Sequence, residues 1–409
     1  MKIPVLLLAC ITASGSSAKT KALLISPPSL KDAWSEYAKL RGQSGVVVKV
    51  VTTDEIQKKY QTGDLQNRMR LCAREHIDQH GVTAVILGGD SSPDGGLVPD
   101  RDTFHKNMWG NDVDIPSDLY FISPTSWDHD KDGIYGEFEE DRDAITYPDG
   151  SVGIGRIPIR TKEDIKAYTE KVRSYLAMKA TPALGMTCEV RGAYAKVLKS
   201  GRKWIPEAWP DGNVSFFFND FTAWDGEGAK GSYQLNPKNL GDQFNEGKIS
   251  KWHLHGHGLI DRWVLEGRTK FSYSNIKALK NEKTPLVITT VSCFTGHFDA
   301  EQDPCVTEAM LRQPKGGAVL IVAPCREGKP HFHDPRRDFQ LMTREGKLDG
   351  TTQTMTSFWV ASLGKDKAPA GRALALSKAG LSDDAKKSAT YHQGICELNL
   401  LGDPTLPVR

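Results

Sequence analysis

Apolar and polar positions along this chain alternate between two rhythms. Ala22–Ile25 is a short unbroken apolar run that stops at Pro27-Pro28, and it reads as a buried strand. Leu30, Ala33, Trp34, Tyr37 and Ala38 then recur at the spacing of one helix face. Gly45 introduces Val46–Val51, a β-branched run suited to a fully buried parallel strand. Leu65, Met69, Cys72, Ala73 and Ile77 form the next helical stripe, Gly81 closes it, and Val82–Leu87 is again a strand. Leu119–Ile122 and Val152–Ile157 predict two more strands. Thr161 and Asp164 form a capping box for a helix carrying Ile165, Tyr168, Val172 and Leu176. This βαβα order predicts an α/β fold, a parallel sheet with helices on both faces.

The rhythm breaks near Ala180-Thr181-Pro182 and resumes with longer polar inserts. Val214–Phe218, Ile249–His255, Leu286–Val291 and Ala318–Ala323 read as strands, and Asn239–Asn245 and Cys305–Leu311 as helices. The chain thus divides into an N-terminal α/β unit over 19–178 and a second over 179–409. Residues 1–18 differ from both. Met1-Lys2, the apolar Ile3–Ala13 and the small residues up to Ala18 predict a secretory signal peptide cleaved after Ala18, hence a secreted or periplasmic protein. A first buried strand, or a lipid anchor at Cys10, are the other readings of this segment.

Composition narrows the function. The 53 basic and 51 acidic side chains nearly cancel, to a formal net charge of +2, which does not favour a nucleic-acid partner. No segment reaches the roughly 20 apolar residues of a membrane span. Of the seven cysteines, Cys72, Cys188, Cys293, Cys305, Cys325 and Cys396 follow the signal, far apart and without a CxxC pair. A chain this long can bury a core without disulfides, so a cysteine here is available for reactivity. Cys305, inside a helical stripe, reads as packing, and His297, His331 and His333 carry no assigned role.

Two predicted strands end in reactive side chains, one in His253-Leu254-His255-Gly256-His257-Gly258 and the other in Thr290-Val291-Ser292-Cys293. Open parallel sheets gather chemistry at the carboxyl ends of their strands. A thiol needs a partner base to become nucleophilic near neutral pH, and an imidazole supplies one. The backbone amides of Gly258 and Cys293 are candidate oxyanion donors. Two other clusters stand out. His253, His255 and His257 alternate, so an extended chain points them one way, the pattern of a metal-dependent hydrolase. Asp128, Asp130, Asp132 with Gly133 and Glu139 match the spacing of a calcium loop, against the alternative of a solvated acidic loop. No organic cofactor is expected.

Leu235–Ile249 runs into Gly256-His257-Gly258 and Trp263, and is followed by Val291-Ser-Cys293-Phe-Thr-Gly296-His-Phe298 and Pro304–Met310. With Gly153-Ile-Gly155-Arg156-Ile-Pro158 and Leu401-Gly402-Asp403-Pro404-Thr-Leu406, these motifs resemble those of the gingipain family of cysteine peptidases. The resemblance has wide reach. It covers nearly the whole chain after residue 18. It implies a caspase-like α/β fold with two adjacent subdomains, each with a mainly parallel sheet flanked by helices. It implies endopeptidase action on polypeptides by Cys293 and His257 through a thioester, with the oxyanion at Gly258 and Cys293. A non-catalytic relative in adhesion or sorting is the other reading. The family's best-known members orient the histidine with a Glu and bind a basic P1 residue with an Asp, both after the strand matching Met186–Val190. Here that stretch carries Glu189, Arg191, Lys196, Lys199, Arg202 and Lys203, which predicts an enzyme that is not strictly Arg- or Lys-directed. Asp220 and Asp299 are the acids elsewhere that would reverse this.

Overall fold

The computed structural model describes residues 20–93, 96–107, 110–179, 182–188, 213–218, 232–266, 269–301, 304–328 and 350–409. Eleven strands form one sheet in the order β2-β1-β3-β6-β16-β15-β14-β10-β7-β8-β9. The first four are β1 (Thr20–Ser26), β2 (Val46–Thr52), β3 (Ala84–Gly88) and β6 (Gly153–Ile157). The second unit contributes β7 (Ala183–Cys188), β8 (Val214–Phe218), β9 (Ser232–Gln234), β10 (Ile249–His255), β14 (Leu286–Thr290), β15 (Ala318–Pro324) and β16 (Leu398–Gly402). β15 and β16 pair antiparallel, while every other neighbour in this sheet is parallel. The final strand is therefore the seam that joins the parallel set of each half.

Local signals predict most elements correctly. Thr161 caps its helix, Lys162–Ala177, by accepting from the Asp164 amide at 3.1 Å, and Asp164 returns the bond to the Thr161 amide at 3.0 Å. Gly81 closes the Leu65–His80 helix at φ 66°, a conformation that favours glycine. Two expectations are corrected. Val46–Val51 is not fully buried, because β2 is an edge strand and leaves Val47 about half exposed. Leu119–Ile122 is not a strand but part of a 3-10 turn over Asp118–Ile122. Its run is apolar because the turn packs Tyr120 and Phe121 wholly into the core, while Asp118 meets Arg156.

The seam is held by polar chemistry. Asp403, just after β16, accepts from Tyr37 at 2.6 Å and from the Thr405 amide at 2.7 Å, and pairs with Arg41 at 2.8 Å, all in the interior. A buried carboxylate survives only when so compensated. These contacts explain the Leu-Gly-Asp-Pro-Thr-Leu motif as a structural lock between the first helix and the last strand. No helix of the described residues is long and apolar enough to cross a membrane.

Candidate active site

The reactive segments leave the sheet side by side. β10 and β14 are parallel neighbours with Leu254 paired to Thr290. The Val291 amide donates to the Leu254 carbonyl at 3.0 Å, extending the register. His257 and Cys293 each follow their paired residue by three positions, so both stand at the same end of adjacent strands. Contact is direct at the next residue. A Cβ placed on Gly258 would lie 2.7 Å from the Cys293 carbonyl oxygen, 2.8 Å from Ser292 Cβ and 2.5 Å from Thr295 Cγ2. Only glycine lets the His257 loop approach the Cys293 loop this closely.

Each loop is fixed from below. The His257 carbonyl accepts from Val264 at 2.9 Å, and β11 (Gly258–Leu259) pairs antiparallel with β12 (Arg262–Glu266), placing Gly258 opposite Trp263. Trp263 is fully buried, its ring 5.2 Å from Trp252 and 6.3 Å from Phe271. The Trp following Gly-His-Gly is thus the anchor of the histidine hairpin. On the other side, Phe294 takes φ 59°, uncommon for a bulky residue, directly after Cys293. Its amide donates to the Arg326 carbonyl at 2.7 Å, and that of Gly296 to the Pro324 carbonyl at 2.9 Å. Thr295 donates its hydroxyl to the Ser292 carbonyl at 2.8 Å, closing the turn.

Arg156 supports the Cys293 loop at longer range. Its guanidinium lies 5.0 Å from the centre of the buried Phe298 ring. It also donates to Asp118 at 2.7 Å and to the Val98 carbonyl at 2.7 Å. Asp299 receives a fork from Arg326, at 2.9 and 2.5 Å, with His297 Nε2 3.6 Å away. Carboxylate oxygens of Asp100 and Asp102 lie within 4.8 Å of Asp299. Burial lowers His297 to a pKa of about 4, with Asp299 pulling the other way.

Cys293 is half-buried and His257 exposed. Burial pushes the Cys293 thiol up to about 11; the Gly328 backbone amide opposes this, and the Glu397 and Glu327 charges add to it. Gly328 escaped the sequence reading. Its amide lies against the sulfur, and its own Cβ would fall 2.7 Å from the Val291 carbonyl; a lone glycine before residues 329–349 carries no pattern to reveal that. Cys305 is fully buried at a helix start, its amide bonded to Glu308 at 2.8 Å, in keeping with packing. Glu189, Arg191, Lys196, Lys199, Arg202, Lys203, Asp220, His331 and His333 lie outside the described residues.

The histidine triplet does not converge. His253 and His255 are buried, with ring centres 4.6 Å apart, and His253 Nδ1 meets Thr289 Oγ1 at 2.6 Å. His257 is beyond the strand and exposed, and these three form none of the metal-competent groups among the described residues. The acidic loop converges, but in another combination. Oxygens of Asp128, Asp130 and Asp141 lie within 4.8 Å of one another. Asp132 turns to the Ile134 amide at 2.8 Å, and Glu139 is exposed. The loop bends at Gly133 (φ 88°) and Gly136 (φ 74°), and Asp141 accepts from the amides of Gly136 at 2.9 Å, Glu137 at 3.3 Å and His129. That folding brings position fourteen, not twelve, back to the first two aspartates. Asp128 Oδ1 and Glu137 Oε2 are buried there without a hydrogen-bond partner, and burial with neighbouring acids raises the Glu137 pKa. Such an oxygen set suits a hard cation.

Comparisons with known proteins bear on the fold and the family. No curated protein matches the chain by sequence. Among solved structures, the complex of Porphyromonas gingivalis RgpB pro- and mature domains matches at 18% identity and TM-score 0.64, over 95% of this chain and 80% of that one. The Arg-specific cysteine proteinase gingipain R matches at 18% and 0.64, over 96% and 78%. A structure described only as a protease matches at 16% and 0.65, over 95% and 79%. These likenesses establish the caspase-like fold. The description of peptidase family C25 matches residues 16–409, so the chain belongs to that family, the gingipain family, and is a cysteine-type peptidase.

Proposed function

We propose that the enzyme is a secreted endopeptidase that cleaves polypeptides with Cys293 as nucleophile and His257 as its proton carrier. The observation that carries this reading is the Leu254–Thr290 register, with Gly258 seated on the Cys293 carbonyl. The thiol is neutral at pH 7 because burial raises it to about 11. His257 therefore takes the thiol proton as sulfur attacks the scissile carbonyl. The amides of Gly258 and Cys293 receive the developing oxyanion, each donor contributing about 3 kcal/mol in comparable sites. His257 returns the proton to the departing amine, leaving a thioester on Cys293. Water, activated by His257, hydrolyses that thioester and regenerates the thiol. The presence of both residues argues against the adhesion or sorting reading.

The signal segment supports export, and the acidic loop is proposed to hold a stabilising Ca2+ through Asp128, Asp130 and Asp141. The basic stretch after β7 and the engagement of Asp299 by Arg326 support an uncharged or acidic P1 preference. A peptide carrying an electrophilic ketone should label Cys293, read by mass spectrometry of the digested protein, and the label should vanish in Cys293→Ala. Labelling of a different cysteine with loss of activity would overturn the assignment. Matched fluorogenic peptides differing only at P1 test the pocket, and a preference for Arg or Lys of about a hundredfold, some 2.7 kcal/mol, would contradict it.

A further inference from the structure

A second grouping of histidines and a cysteine lies away from the peptidase site. His105 sits on β4 (Asp102–Lys106), which forms a hairpin with β5 (Asp112–Pro116). His392 and Cys396 are one turn apart on the Ala389–Glu397 helix, so they share the face that packs on that hairpin. All three are buried, at 5%, 0% and 1% exposure. One ligand atom from each lies within 4.8 Å of the other two.

We propose that His105, His392 and Cys396 form a structural site for a thiolate-seeking transition ion of the Zn2+ class. The donor set decides the class, since two imidazoles and a sulfur suit zinc and not calcium or magnesium. His392 Nε2 meets the Gly136 carbonyl at 2.8 Å. A carbonyl only accepts, so the ring proton is on Nε2 and the lone pair is on Nδ1. A backbone carbonyl behind the ring is the usual support of a metal-ligating histidine. That Nδ1 faces the Cys396 sulfur at 3.9 Å. A tetrahedral zinc with ordinary bond lengths needs about 3.6 Å between such atoms. Tyr147 Oη is 3.0 Å from Nδ1 and also 3.1 Å from the Ala385 carbonyl, so its single proton has another acceptor when Nδ1 binds an ion. The thiol, held up at about 12 by burial, gives its proton to solvent as the ion enters, and no electron is transferred. The ion would tie the β4–β5 hairpin to the helix that leads directly into β16, the seam of the sheet.

The test uses the full chain carrying Cys293→Ala, which removes the catalytic thiol as a competing ligand, with calcium in excess. After removal of metal, Zn2+ should bind at one equivalent, with release of a proton and a rise in melting temperature. Co2+ should give the charge-transfer absorption of a thiolate ligand. Adding Cys396→Ser or His105→Gln should each abolish the equivalent and the absorption. No retained ion in the Cys293→Ala chain, or unchanged binding in both double variants, would refute the site. Should one double variant not fold, by circular dichroism, the other decides.

Discussion

Among the imidazole–thiol pairings of the described residues, which include Cys72 with His76 at 3.7 Å, two are built in opposite ways. His257 and Cys293 stand on loops past the ends of parallel strands, with the histidine exposed and the cysteine half-buried. His392 and Cys396 sit on one helix turn, sealed in the core, with His392 held by Gly136 and Tyr147. Burial raises both thiols, to about 11 and about 12. Acidity therefore does not separate the pairs. What separates them is access, together with the backbone around Cys293, where the Gly328 amide lies against the sulfur, Gly258 is seated on the Cys293 carbonyl and the chain turns at Phe294. A reactive thiol needs room for a substrate carbonyl and donors for its oxyanion, whereas a structural one needs neither.

The largest expected effect breaks the symmetry between the pairs outright. Cys293→Ala should lower kcat/KM by at least about a thousandfold without shifting the melting temperature, and His257→Ala by about 10²- to 10⁴-fold. Cys396→Ala should leave kcat/KM within a few-fold and instead cost on the order of 1–2 kcal/mol of stability. Equal activity losses in the two cysteine variants would dissolve the distinction.

Calcium sharpens a related contrast, since the acidic loop hands its Gly136 carbonyl to His392. Saturation at about a hundred times Kd adds about 2.7 kcal/mol to the folded state. Asp141→Asn should remove most of that gain in melting temperature, and Glu139→Gln should leave it. An equal response in both variants would restore position twelve as the ligand.

Titration separates the pairs by rate. With its thiol near 11, Cys293 should be alkylated by iodoacetamide about tenfold faster for each pH unit gained between 7 and 10, because only the thiolate reacts. Cys396 should stay unmodified until the chain unfolds. A flat profile for Cys293 from pH 6 upward would indicate a pre-formed thiolate–imidazolium pair.

Much of this was legible along the chain, and the reason is locality. Capping boxes, Gly81 as a stop, apolar runs of strand length and the Gly-His-Gly and Ser-Cys endings all depend on residues a few positions apart. They determined an α/β chain and pointed to His257 and Cys293 as the proposed peptidase pair. Leu119–Ile122 shows where locality fails, since a short apolar run buries equally well as a strand or as one turn of helix. β2 shows it again, because the same valines serve a central or an edge strand, and only the strand order decides. The tertiary structure alone decided the rest: Asp141 gathered with Asp128 and Asp130, Gly328 against the sulfur, Asp299 engaged by Arg326, and His105 brought to His392 and Cys396. Each joins residues through a loop's path or across the packing of separate elements. No period in the sequence encodes such a distance, because it is set by how elements pack once their apolar faces are buried together.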